Sequence, residues 1–94
     1  MTVNICGIKH KVIESEAAFC SEDLYLGQID YKQCVIRINA NMTERMKKET
    51  LCHEILHGML MHLGYAEKRD DEQFVQALAN AIAQSFEVMQ DDSD

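Results

Sequence analysis

The segment Leu51-Cys52-His53-Glu54-Ile55-Leu56-His57-Gly58 carries a His-Glu-x-x-His pattern inside a run that reads as one helix. On a helix, positions four apart are turned by ~40° and lifted by ~6 Å, so the rings of His53 and His57 leave one face together. That is the spacing two ligands of a single tetrahedral zinc require. Glu54 lies ~100° round from His53, at the edge of the same face. From there its carboxylate reaches a water on the metal without displacing it, the general-base position of a zinc hydrolase. The bland alternative is two ordinary helix histidines beside a surface glutamate. Its surroundings weigh against it, because Leu51, Ile55, Leu56, Met59, Leu60 and Leu63 cover nearly every side of this helix. Such a helix should be buried, and its polar side chains then need partners that a metal supplies.

Moving outward, Asn39-Ala40-Asn41-Met42-Thr43 supplies helix-start chemistry, with Thr43 or Asn41 as the N-cap. The helix should run from about Glu44 to Leu63, with Gly64 stopping it and Tyr65 folding back on Leu60. Ala66 to Asp70 reads as a short charged connection, about Asp71 to Met89 as a further helix, and Asp91 to Asp94 as a solvated tail. Upstream, Val3 to Ile13 alternates loosely and suggests a strand broken or bulged at Gly7, with His10 facing solvent or the sheet rim. Glu14 to Cys20 suggests a helical turn. Leu24 to Asp30 and Cys34 to Asn39 bracket a polar connection and read as a hairpin, with Cys34, Ile36 and Ile38 facing the core.

Zinc held by two histidines with a water in place needs one more protein ligand. His62 sits ~180° from His53 and faces away. The following helix carries an apolar stripe of Val75, Ala79, Ile82, Ala83 and Phe86, and Glu72 projects within ~40° of its centre. A carboxylate on a core-facing stripe needs a partner. The short connection makes the two helices antiparallel neighbours and brings Glu72 near the end of the first. Asp71 is the reserve ligand. The plain alternative for all of Asp70, Asp71 and Glu72 is negative charge complementing the helix macrodipole.

Ninety-four residues make one domain, here with 47% hydrophobic and 27% charged residues, an ordinary balance for a globular chain. The longest apolar runs are far too short to span a membrane, and the N-terminus shows no leader pattern. Cys6, Cys20, Cys34 and Cys52 form no CxxC pair and are expected as reduced, mostly buried thiols of a cytosolic protein; two disulfides in a secreted domain are the alternative. A formal charge of −7 argues against general nucleic-acid binding, which needs a basic patch.

Four segments resemble small phage- and mobile-element-encoded proteins related to the ImmA/IrrE zinc metallopeptidases. They are Leu26 to Tyr31, Val35 to Asn39, Thr50 to His57 and Asp71 to Val75. The resemblance covers most of the chain in order, and the HExxH segment is its sharply specific part. It implies an α+β minimal zincin core, with a small antiparallel or mixed sheet beside a buried HExxH helix and a C-terminal helix. It implies Zn2+ held by His53, His57 and a downstream acid that Glu72 matches, Glu54 activating water, and a host-cytosol setting. Tyr65 and Tyr31 are the hydroxyls available to an oxyanion. A second stretch, His57 to Tyr65, looks like part of the YbeY-type ribosomal-RNA endonucleases. There the histidine spacing departs, five here rather than four, Ala66-Glu67 stand where the next histidine is wanted, and acidic charge suits RNA poorly.

The expectation is therefore a zinc-dependent hydrolase of a peptide or protein substrate, with no nucleic acid or membrane partner. An extended substrate is expected to add as a strand along the Cys34 to Asn39 edge. The alternative is a non-catalytic, zinc-stabilised accessory protein that works by contact.

Overall fold

The computed structural model describes residues 1–15 and 26–92. Its elements run β1 (Thr2–Ile5), β2 (Ile8–Ser15), β3 (Gly27–Asp30), β4 (Val35–Asn39), α1 (Glu44–His62), α2 (Ala66–Arg69) and α3 (Glu72–Asp92). The four strands form one mixed sheet in the order β1-β2-β4-β3. β1 pairs with β2 and β3 with β4 antiparallel, whereas β2 and β4 are parallel, from Lys11↔Val35 to Ser15↔Asn39. This is a small α+β fold in a zincin-like arrangement, with a sheet packed on the HExxH helix and a further helix behind it.

Gly7 proves to end a strand rather than to bulge one. Ile5 pairs with Ile8 across the two residues Cys6 and Gly7, both at positive φ (52° and 85°), so a tight hairpin separates β1 from β2. Positive φ at both central positions matches the right-handed twist of the strands, and Gly7 adopts it without strain. At the other hairpin, Asp30 Oδ1 accepts from the amides of Lys32 and Gln33 at 3.0 Å each, and Cys34 takes φ 56°. Cys34 is thus a half-buried turn residue, not a core strand position; Ile36 and Ile38 are the buried pair expected beside it.

α1 is covered on two sides, which accounts for Leu51, Ile55, Leu56 and Leu60, whereas Met59 and Leu63, expected to be buried with them, are exposed. Ile5, Val12, Ile36 and Ile38 form a core on the sheet side, joined by Leu51 and Ile55 of α1. Leu56, Val75 and Ala79 form a second core on the α3 side, joined by Cys52, Leu60 and Ile82. The termini follow the expected chemistry. Thr43 Oγ1 accepts from the Met46 amide at 3.2 Å, so Thr43 rather than Asn41 is the N-cap. At the far end Gly64 has φ 83°, Gly64 N donates to Met61 O (3.2 Å) and Tyr65 N to Leu60 O (2.9 Å), a Schellman ending.

Other expectations are corrected. Glu14 and Ser15 complete β2 instead of opening a helical turn, and residues 16–20 of that turn lie outside the described residues. The connection after Gly64 contains the one-turn helix α2. α3 runs on through Asp92, so Asp91 and Asp92 are helical. Phe86 is half exposed although it continues the stripe of Val75, Ala79 and Ala83, which are buried. Cys6 is exposed and Cys34 and Cys52 half-buried, all three as free thiols rather than mostly buried ones, and Cys20 lies outside the described residues. Among the described residues no helix is long and apolar enough to cross a membrane.

Candidate metal centre

His53 and His57 leave α1 side by side, with their Nε2 atoms 3.1 Å apart and their side chains only 14% and 12% exposed. Glu72, the first residue of α3, closes the group: Oε2 lies 3.0 Å from His53 Nε2 and Oε1 2.9 Å from His57 Nε2. Among the described residues this is the group of three or more His, Cys, Asp or Glu side chains able to chelate a metal ion. Two donors ~2.1 Å from one tetrahedral ion lie ~3.4 Å apart, so these separations are a few tenths of an ångström tighter than such an ion sets. Two imidazole nitrogens and a carboxylate are also a donor set that zinc accepts. The residues fit the ion.

α2 makes this convergence possible. It lets the chain turn back after Gly64, so that the start of α3 returns to the middle of α1 and not merely to its end. Asp71 is occupied differently: its Oδ1 caps α3 by accepting from the Phe74 amide at 3.0 Å. Glu72 therefore stands with the histidines and Asp71 does not. His62 points to the opposite side of α1, where its ring meets that of His10 edge-on at 6.3 Å. His10 is fully buried, not solvent-facing, because it shares the inward face of β2 with Val12. Its Nδ1 lies 2.9 Å from Ile8 O, while Nε2 has no partner within the protein.

The protonation states suit metal binding. Burial lowers the pKa of His57, and Glu72 opposes that shift; a neutral ring is the form that ligates. A backbone hydrogen bond to Arg69 also favours the protonated ring. Glu54 is 7% exposed, and burial, reinforced by the Glu72 carboxylate, pushes its carboxyl up to about 7. Gly27 fixes how close β3 comes to it. A Cβ there would stand 2.7 Å from Thr50 Cγ2 and 3.0 Å from Arg37 O, with Glu54 Cγ at 3.6 Å.

A cleft of about 830 Å³ opens over the three chelating groups. It runs beside β3, which with β1 is one of the two edges of the sheet among the described residues; β4 lies inside, between β2 and β3. The strand edge expected at Cys34 to Asn39 is thus paired on both sides, and Gly27–Asp30 replaces it. Tyr31 lines the cleft and Tyr65 does not. Burial raises the pKa of Tyr31, with Arg69 pulling the other way. Arg69 itself lies 5.9 Å from the Tyr31 ring centre. No motif pointed to Arg69, Met46 or Glu49, because only the return of α2 and β3 against α1 makes them line a cleft.

The sequence pattern of the IrrE N-terminal-like domain, Peptidase_M78, matches residues 11–89. The chain belongs to this family. The match spans β2 to α3 and so includes every residue of the His53, Glu54, His57 and Glu72 group. Neither a curated protein nor a solved structure gives a match to this Peptidase_M78 member.

With metal withheld, Glu54 gives this domain a pH dependence whose sign is fixed. Its folded pKa of about 7 lies above the ordinary value of 4.5, so the folded state holds the proton more tightly. The stabilising contribution is full below about 4.5 and is lost as pH rises through about 7. Chelator-treated protein should therefore lose up to ~3 kcal/mol of stability across that window, at ~1.4 kcal/mol per unit. Urea titrations of parent and Glu54→Gln at several pH values check this; equal slopes in both would remove Glu54 as the cause.

Proposed function

We propose that this domain is a zinc-dependent peptidase in which His53, His57 and Glu72 hold the ion and Glu54 is the general base. The observation that carries the reading is the convergence of both Nε2 atoms and the Glu72 carboxylate beneath an open cleft, with Glu54 buried alongside. When bound, zinc supplies Lewis acidity to the scissile carbonyl and acidifies the attacking water. Glu54 takes that water's proton on its carboxylate and returns it to the leaving amide nitrogen. Tyr31, kept protonated by burial, is the cleft hydroxyl that donates to the carbonyl oxygen as it becomes an oxyanion.

The substrate backbone is held by β3. Asn39 N donates to Leu26 O, so Leu26, Gln28 and Asp30 direct their peptide groups at β4. Gly27 and Ile29 alternate with them and direct theirs outward, along the cleft. An extended peptide adds there as a further strand, through backbone bonds that accept many sequences. Three free thiols favour a reducing compartment, the cytosol.

The direct test is zinc content together with binding of a chelating hydroxamate. Protein purified without chelator should hold about one zinc per chain and bind the hydroxamate through the ion's open position. Zinc-loaded protein that binds no hydroxamate would have a closed site, and the peptidase reading would be abandoned.

A further inference from the structure

The two ends of the cleft differ in a way that points to the substrate side chain, an inference that rests on the peptidase reading. At one end, Arg69 is already engaged: its Nε lies 3.0 Å and its Nη2 3.4 Å from the two carboxylate oxygens of Asp70. Its guanidinium also faces the Tyr31 ring, so this end presents no free charge of either sign. At the other end stand Leu26 and Met46, 45% and 41% exposed, both lining the cleft. Glu49 lines it beside them. It is one turn before His53 on α1, hence on the same face as the chelating rings. Among the described residues it has no ion-pair partner.

Two exposed apolar side chains leading to a lone carboxylate match one kind of side chain. Lysine and arginine carry an apolar stem and a cationic head, and they bury the stem while the head seeks an anion or water. A glutamate or aspartate side chain would meet Glu49 at like charge. A purely aliphatic one would leave Glu49 without a counter-charge. The chain's net charge of −7 acts in the same direction by drawing cationic peptides to it.

The direction of the peptide assigns the position. Antiparallel pairing is the more stable mode of adding a strand, and β3 runs from Gly27 to Asp30. An antiparallel peptide places its carboxyl-terminal half over Leu26 and Gly27, past the chelating group. We propose that Leu26, Met46 and Glu49 form the pocket for the residue on the carboxyl side of the scissile bond, and that this residue is lysine or arginine.

The test uses three hydroxamates of one scaffold, bearing an arginine, leucine or glutamate side chain next to the chelating group, titrated calorimetrically into zinc-loaded protein. The arginine compound should bind ~10-fold tighter than the leucine compound and tighter still than the glutamate one, as a charge-assisted contact gives. Glu49→Lys should invert the order of the charged pair, and Glu49→Gln should level it, with zinc content equal to the parent's in both. Equal binding of all three compounds overturns the proposal. So does an order that survives both substitutions, which would place the selectivity elsewhere in the cleft. If none of the three binds zinc-loaded protein, the open metal position fails first and the pocket falls with it. If Glu49→Lys does not fold, Glu49→Gln alone decides, because it removes the charge while keeping the size of the side chain.

Discussion

Glutamine in place of Glu54 is expected to lower peptide hydrolysis by at least ~10²-fold while leaving the ion in place, since positioned proton transfer contributes ~10²–10⁴ in rate. The reasoning is geometric. Glu54 is not among the three groups whose donor atoms converge, so removing its charge takes away a proton acceptor and no ligand. Its carboxyl is buried between α1 and β3, and an amide of the same shape fills the same space. Zinc content and circular dichroism of Glu54→Gln should match the parent. Initial rates on a peptide that the parent cleaves then isolate the proton-transfer step. A variant that keeps both its zinc and its rate would show that Glu54 is not the base. A variant that loses zinc would show that the carboxylate supports the ion itself.

Glu72→Gln should act in the opposite sense, weakening zinc binding by at least ~10-fold, the low end of losses found even for groups that only support a ligand. The effect on melting should be large. An ion that binds only the folded state stabilises it by RT ln(1 + [L]/Kd), ~4 kcal/mol at a thousand times Kd. For a domain this small, each kcal/mol moves the melt by ~4–8 °C. Because the Glu72 side chain is 67% exposed, the substitution removes little packing. Parent and variant should accordingly melt together in EDTA and separate only when zinc is added. Asp71→Asn is the control, because asparagine caps the helix as well as aspartate does. Zinc affinity lost in Asp71→Asn and kept in Glu72→Gln would exchange the roles of the two acids.

Much of this site was legible from residue order because a helix converts spacing directly into direction. The four-residue step from His53 to His57 and the stripe through Val75 and Ala79 are local facts, and α1 and α3 express both. Thr43 and Gly64 were equally readable, since capping depends on neighbours within one turn. Position across the sheet was not. Nothing in Cys34 to Asn39 says that β2, 24 residues earlier in register, pairs with it in parallel and makes it an interior strand. The free edge therefore moved to β3, a segment too short and mixed to stand out. The same blindness placed His10 in solvent. Its alternation with Val12 was visible, but which face of β2 lies under α1 is decided by distant chain. Glu49 and Arg69 escaped notice for the same reason.

The parallel register of β2 and β4 also sets an order of events as the chain folds. The β1–β2 and β3–β4 hairpins close over a few residues, in microseconds, whereas joining them requires a much longer excursion of the chain. Before that junction forms, the inner edges of β2 and β4, both destined for the middle of the sheet, are also unpaired. These are the edges on which two nascent chains would pair wrongly. Lys9 and Lys11 are exposed on β2, where their charge discourages such pairing until β4 arrives. It is during synthesis, before the two hairpins join, that these inner edges stand open.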